Sequence, residues 1–171
     1  MDSTPLQRAL KVAPERAPAV KARPEQEFFC FRLADFQLGV PSENVREVLR
    51  IGLITPLPRT PAFVMGVSGH RGEVLPVMDL LRFLGKGESR IGPRTRLFIA
   101  TSGSFTAGVV VDAVVGLRKI QVDNILPPPL GGEVSSELML GVVDDRKTFL
   151  VTSLLNFTRV LDTARQRAVV R

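Results

Sequence analysis

Residues 61–85 read PAFVMGVSGHRGEVLPVMDLLRFLG, and this stretch decides the fold. A proline opens a short helical turn, and Val64-Met65-Gly66-Val67 follows as an apolar strand. Gly69-His70-Arg71-Gly72 places a glycine on each side of a tight tip, where glycine supplies positive φ at no steric cost. Glu73-Val74-Leu75-Pro76-Val77 runs back, so the two runs read as a hairpin. Asp79 is placed to cap a short helix over residues 80–84, which Gly85 closes. The unit is strand, turn, strand and capped helix, with Arg71 near a stiff tip.

Upstream, Phe29, Phe31 and Leu33 alternate with Cys30 and Arg32, a strand of period two. Ala34-Asp35 is its turn, residues 36–40 return, and Pro41 ends the ladder because it has no donor. Ser42 is expected to cap a helix over residues 42–50, with Val45, Val48 and Leu49 on one face and Glu43, Arg46 and Glu47 on the other. Pro56, Pro58 and Pro61 keep residues 51–57 extended. Downstream, residues 86–94 form a polar loop, 95–101 a strand, and 105–115 a second, β-branched strand. Residues 122–129 read as a turn and a proline-rich linker. Residues 138–152 read as another hairpin, turning at Asp144-Asp145, and Ser153 is expected to start a last helix. Residues 1–24 hold four prolines and no periodic apolar face, so disorder is expected there.

The chain also repeats itself. Phe36, Gly39, Val40, Val45, Val48 and Ile51 match Phe105, Gly108, Val109, Val114, Leu117 and Ile120 at an offset of 69. Gly66, Val67, Arg71, Val74 and Leu75 match Gly141, Val142, Arg146, Phe149 and Leu150 at an offset of 75. Ordered duplication argues for two similar small β units. The tips differ: Gly69-His70 becomes Asp144-Asp145 and Gly72 becomes Lys147, so glycines flank the tip arginine only in the first copy.

Composition narrows the function. At 171 residues the chain makes one domain or two very small ones. One cysteine precludes an intrachain disulfide and suits a reducing cytosol. No apolar run approaches the roughly 20 residues that span a bilayer, and the first residues lack an apolar signal core. Of the net charge of +6, residues 1–24 carry +3 (five basic, two acidic) and residues 159–171 carry +3 (four basic, one acidic). Residues 25–158 hold fourteen groups of each sign. A nucleic-acid-binding domain would carry its basic footprint on the folded part, so nucleic acid is not an expected partner.

Catalytic sets are not assembled. Gly66-Val67-Ser68-Gly69-His70 resembles a nucleophile elbow but lacks its last glycine and lies between two strands. Ser68 and His70 are two residues apart, too close in sequence to align readily as nucleophile and base. One histidine and one cysteine are too few for a metal site, and no phosphate-binding loop occurs. Cys30 reads as a small buried hydrophobe. A binding module remains. Its docking site is expected in a shallow groove between the two β units, lined by aliphatics and rimmed by Glu47 and Arg71, where a partner helix would lie.

Many short runs together resemble one family. They are Phe31-x-Leu33; Gly39-Val40-Pro41 with Val45-Arg46-Glu47-Val48-Leu49-Arg50; Ile54-Thr55-Pro56-Leu57-Pro58, Pro61, Phe63-Val64 and Gly66-Val67; Arg71-Gly72, Val74-Leu75-Pro76-Val77 and Asp79-Leu80; then Gly108-Val109-Val110-Val111-Asp112, Val114, residues 122–129 and Gly141-Val142. In register over residues 25–158, they resemble the CheW-like coupling domain of bacterial chemotaxis. The resemblance implies an all-β fold with short helices: two linked, five-stranded β-barrels of the Src-homology-3-like kind. It implies a cytoplasmic adaptor with no activity, cofactor or metal, recruited to receptor arrays without inserting into the membrane. Such an adaptor joins the cytoplasmic tip of a methyl-accepting chemoreceptor to a CheA-type histidine kinase. By the same resemblance, Val45, Val48, Leu49, Ile51 and Arg71 fall at receptor-binding positions, and Glu47, Arg71, Thr95 and Arg96 at kinase-binding positions. The domain would occupy residues 25–158, between a basic tail (1–24) and a helix end with a second basic tail (159–171). Gly69 and His70 stand where the family has Asn and Leu, and Leu38 stands where it has an aromatic residue. These departures suit an alternative: a divergent protein that binds one partner and antagonises or modulates the pathway.

Overall fold

The computed structural model describes residues 23–146 and 150–169. Of the stretch 1–24 expected to be disordered, residues 1–22 lie outside the described residues, as does the repeat position Phe149, while the Pro24 carbonyl accepts from the Val122 amide at 3.0 Å. Ten strands make two five-stranded sheets. They are β1 (Glu25–Leu33), β2 (Phe36–Pro41), β3 (Val45–Arg50), β4 (Val64–His70), β5 (Glu73–Asp79), β6 (Arg96–Ser102), β7 (Phe105–Val111), β8 (Ala113–Gln121), β9 (Met139–Asp145) and β10 (Leu150–Leu155). Among the described residues two helices, α1 (Leu80–Phe83) and α2 (Phe157–Val169), accompany the strands with three short 3₁₀ turns.

The first sheet runs β8-β1-β2-β10-β9 and the second β3-β6-β7-β5-β4. Each contains one parallel pair, β2 with β10 and β5 with β7. The repeat explains this symmetry. Its copies are β1–β5 and β6–β10, and each sheet takes two strands from one copy and three from the other. The expectation of two β units holds, but neither unit is built from one copy. The expected barrels are instead curled open sheets, each with two free edges. In each curl a crossing segment pairs briefly with an edge strand: Thr55 with Val67, and Leu126 with Val142. A glycine makes each crossing possible. A Cβ on Gly66 (φ 145°) would lie 2.2 Å from the Thr55 carbonyl oxygen, and one on Gly141 (φ 156°) 2.3 Å from that of Leu126. These are corresponding positions at the offset of 75.

Alternation along β1 sends its side chains into two cores. Phe29, Phe31 and Leu33 join the core between the sheets, while Phe28 and Cys30 join a smaller one with Ile120, Val143 and Leu154. A third core, Val77, Leu97 and Val110, fills the second sheet's curl. Phe29 and Phe31 meet Phe98 at ring-centroid distances of 5.2 and 5.4 Å, which packs β1 against β6. Each such buried ring stabilises the fold by roughly 1.5–3 kcal/mol through burial alone.

Four local expectations are corrected. The helix over 42–50 is a one-turn 3₁₀ segment (Ser42–Asn44) followed by strand β3. Val-Arg-Glu-Val-Leu-Arg fits both periods, and pairing with β6 decides for the strand. The strand over 105–115 breaks at Asp112, which turns the chain from β7 into β8 and accepts a bond from the Ala34 amide (2.6 Å). Asp144 and Asp145 are paired within β9, so that hairpin turns after them. Ser153 lies in β10, and Asn156 caps α2 by accepting from the Arg159 amide (3.2 Å). The 61–85 stretch folds as expected in its hairpin and capped helix, but the tip is Arg71-Gly72 and Gly69 lies within β4. Asp79 caps α1 through the Arg82 amide (3.2 Å) and also accepts from the Ser89 amide and hydroxyl (2.9 and 2.7 Å).

Candidate functional site

Strand β3 carries half of the residues singled out by sequence: Val45, Glu47, Val48 and Leu49. It is an edge strand, paired only with β6. Val45 and Val48 lie opposite Ala100 and Phe98, both members of the inter-sheet core. They therefore face the other sheet, at the border where that core meets solvent. Val45 is half-buried against the core, and Val48 keeps 40% of its surface exposed. Glu47 and Leu49 lie opposite Ile99 and Leu97, on the reverse face, with a bulge between Val45 and Glu47 setting the phase. Leu49 and Ile51 pack into the curl beside Leu97 and Val110. Val45, Val48, Leu49 and Ile51 thus form two surfaces instead of one.

The second of these surfaces holds a cleft of about 500 Å³ lined by Leu49, Leu53, Leu75, Leu97 and His70, among others. It lies within one curled sheet. The expected groove between the units, rimmed by Glu47 and Arg71, is to that extent misplaced. The apolar residues on the inter-sheet face are Val45 and Val48, whereas Glu47 and Arg71 belong to the curl.

At the hairpin tip, Arg71 (φ 48°) and Gly72 (φ 79°) take left-handed conformations, as a two-residue turn of this type requires. Gly69 is ordinary strand backbone with open space around its Cβ position, so it is not needed for the bend. Glu47 reaches across from β3 to this tip. Its Oε1 accepts from Arg71 Nη2 at 3.1 Å and its Oε2 from His70 Nε2 at 3.0 Å. Arg46 and Glu73 add a looser exposed pair at 3.9 Å. The carboxylate therefore ties together β3 and the β4–β5 hairpin, the two free edges of this sheet. Sequence reading paired Glu47 with Arg71 on one rim, but 23 residues of separation gave no sign of the bond to His70.

Thr95 and Arg96 stand elsewhere. Thr95 is buried, and its hydroxyl accepts from the Gly92 amide at 2.7 Å, which folds the loop before β6. The Arg96 guanidinium donates to the Pro93 and Thr95 carbonyls at 3.0 and 2.9 Å. Arg96 pairs in register with Arg50, at the far end of β3 from Val45.

The repeat supplies two residues that the sequence flagged only as matches. Val114 and Leu117 correspond to Val45 and Val48, lie opposite Phe31 and Phe29, and are 38% and 62% exposed. Two of the edge strands, β3 and β8, so carry exposed aliphatic side chains on the face turned to the inter-sheet core.

Among the described residues nothing resembles a catalytic set. The His70 Nε2 is committed to Glu47. Cys30 is buried, and burial pushes its thiol above the ordinary range, with the Arg118 guanidinium pulling partly the other way. Among the described residues no cluster of His, Cys, Asp or Glu could hold a metal ion, and no helix is long and apolar enough to cross a membrane.

Residues 27–165 match the CheW-like domain family. Protein FrzA of Myxococcus xanthus is 68% identical over 160 residues, covering 94% of this chain and all of FrzA. The probable chemotaxis protein CheW of Rhizobium etli is 32% identical over 114 residues, 67% of this chain and 72% of that protein. Among solved structures, the scaffolding protein TtCheW of Thermoanaerobacter tengcongensis superposes with a TM-score of 0.71 at 26% identity, covering 82% of this chain and 90% of that one. With its two five-stranded sheets, its duplicated crossings and these matches, the chain belongs to the CheW-like domain family.

Proposed function

We propose that this protein is a cytoplasmic adaptor that couples a chemoreceptor to a CheA-type histidine kinase in a chemotaxis-like pathway. Membership of the CheW-like family makes it a non-catalytic scaffold of chemotaxis-type signalling. The observation that carries the receptor side is the apolar border of β3. Val48 is exposed while sharing a face with the buried Phe98, so it offers an aliphatic surface continuous with the core. A helical receptor tip would lay its apolar face there, with Val45 beneath it. The kinase side is assigned to the curl of the same sheet, around Arg71 and the cleft, with Arg96 at the far end of β3 on the opposite face. Thr95 serves there by shaping the loop, since its side chain is buried.

The test is affinity for two separate fragments: the receptor's cytoplasmic tip and the kinase's regulatory domain. Val48→Ala should weaken receptor binding about tenfold and leave the kinase fragment and the melting temperature nearly unchanged. Wild-type affinity for the receptor fragment in a folded Val48→Ala protein would remove the receptor assignment. In reconstituted mixtures coupling raises kinase output; a fall in output would favour the alternative of a single-partner antagonist.

A further inference from the structure

The bond between His70 and Glu47 has no counterpart in what the family resemblance implies, because that position is Leu in the family motif. His70 is the only histidine in the chain. Its Nε2 stands 3.0 Å from Glu47 Oε2, with both side chains about three-quarters shielded from solvent. A carboxylate oxygen can only accept, so this nitrogen carries the proton. Glu47 Oε1 is taken by Arg71 Nη2 at 3.1 Å, so each carboxylate oxygen has a partner within the chain. Arg71 is different. Its side chain is 75% exposed, and the contact uses one of five guanidinium donors.

We propose that His70 is a positioning residue. It holds one oxygen of Glu47, which fixes the carboxylate plane. The other oxygen then holds one edge of the Arg71 guanidinium and leaves the remaining donors facing outward. Glu47 is then a support and not itself a contact, and the group this surface receives is anionic: a carboxylate side chain on the kinase. Two donors of a planar fork suit a carboxylate bidentately, provided the fork is held still. This inference rests on the kinase side of the function proposed above.

Two measurements test it. Because the chain has one imidazole, its ring nitrogens give unambiguous magnetic resonance signals. Wild type should show a protected Nε2–H, and Glu47→Gln should shift it and speed its exchange. An unchanged ring spectrum in Glu47→Gln would overturn the proposal. The second measurement is affinity for the kinase regulatory domain. His70→Leu should weaken binding about fivefold to tenfold with the melting temperature nearly kept. His70→Gln, whose amide can replace the donor, should recover most of the loss. In an Arg71→Ala background, His70→Leu should cost nothing further, since His70 acts through Arg71. Equal affinity of His70→Leu and wild type, or fully additive losses in the double variant, would each overturn the positioning role. If wild type itself fails to bind the kinase fragment, the kinase assignment falls instead, and the ring spectrum still decides whether the clasp forms.

Discussion

Gly66→Ala should be the most damaging single-methyl change near the proposed interface. Gly66 sits at φ 145°, outside the range that L side chains readily adopt. An added Cβ would lie 2.2 Å from the Thr55 oxygen, 2.6 Å from its carbonyl carbon and 2.9 Å from Pro56 Cα. All three are backbone atoms, so no side chain can swing away. The crossing segment must lift. That breaks the two bonds of the bridge, Thr55 N to Val67 O at 2.8 Å and Val67 N to Thr55 O at 2.9 Å. An unfavourable φ costs about 1–3 kcal/mol, and each lost backbone bond about 0.5–1.5 kcal/mol. The sum is about 2–6 kcal/mol, a large part of a stability of about 5–15 kcal/mol. At about 2–4 °C per kcal/mol for a chain of this size, melting should fall by roughly 5–20 °C. Gly69→Ala is the control, since its Cβ position is open, and it should change melting by less than about 2 °C. Calorimetry or circular dichroism reads both. A Gly66→Ala protein that melts within about 2 °C of wild type would show that the crossing yields freely and would refute this reasoning.

Arg71→Gly removes a left-handed non-glycine residue, a strain of about 1 kcal/mol, and an exposed ion pair worth about 0–1 kcal/mol. Melting should therefore hold or rise slightly while kinase-fragment affinity falls; a clear loss of stability would show that the pair to Glu47 is structural. The buried Cys30 thiol should resist a thiol reagent at pH 8 until the protein is unfolded, and fast native labelling would contradict its burial. Because its folded-state pKa is raised, the stability it contributes is complete below the unfolded thiol's value of about 8.5 and is lost as pH rises through the folded value. A Cys30→Ala variant should lack that alkaline component of the melting curve. Residues 23–90 and 91–169 made as separate chains should each be largely unfolded, and mixing them should restore the β signal; a folded single half would contradict the strand exchange between the copies.

Much of the fold was legible because its signals are local. The alternation in β1, the 61–85 hairpin and the Asp79 cap each depend on residues within a few positions of one another. The repeat was legible too, down to Gly66 and Gly141, which turned out to admit the same crossing. What failed was set by partners distant in sequence. Residues 45–50 are six positions long and fit a helical stripe as well as a strand, and only β6, some fifty residues away, decides between them. The exchange of strands between copies leaves no local mark, since a strand's sequence does not state which sheet receives it. The site was read in the same uneven way. The residues were near the surface expected of them, but a helix would have put Val45, Val48 and Leu49 on one face, whereas a strand with a bulge separates Leu49 from the other two.

That separation bears on how an adaptor of this size can serve two partners. A strand only six residues long presents Val45 and Val48 to the inter-sheet border and Glu47 and Leu49 to the curl. The proposed receptor and kinase surfaces are therefore opposite faces of one strand, about one residue apart along the chain. Because β3 is an edge, it is held on one side by β6 and on the other mainly by the Glu47 clasp and the Thr55 bridge that follows it. Loading one face shifts a backbone that the other face shares, and such neighbours do not add independently. The hairpin β6–β7 that supports β3 belongs to the second copy, while β1–β2, which leads into β3, lies in the other sheet. Each sheet therefore holds strands of both copies, so the support of β3 depends on both halves of the chain.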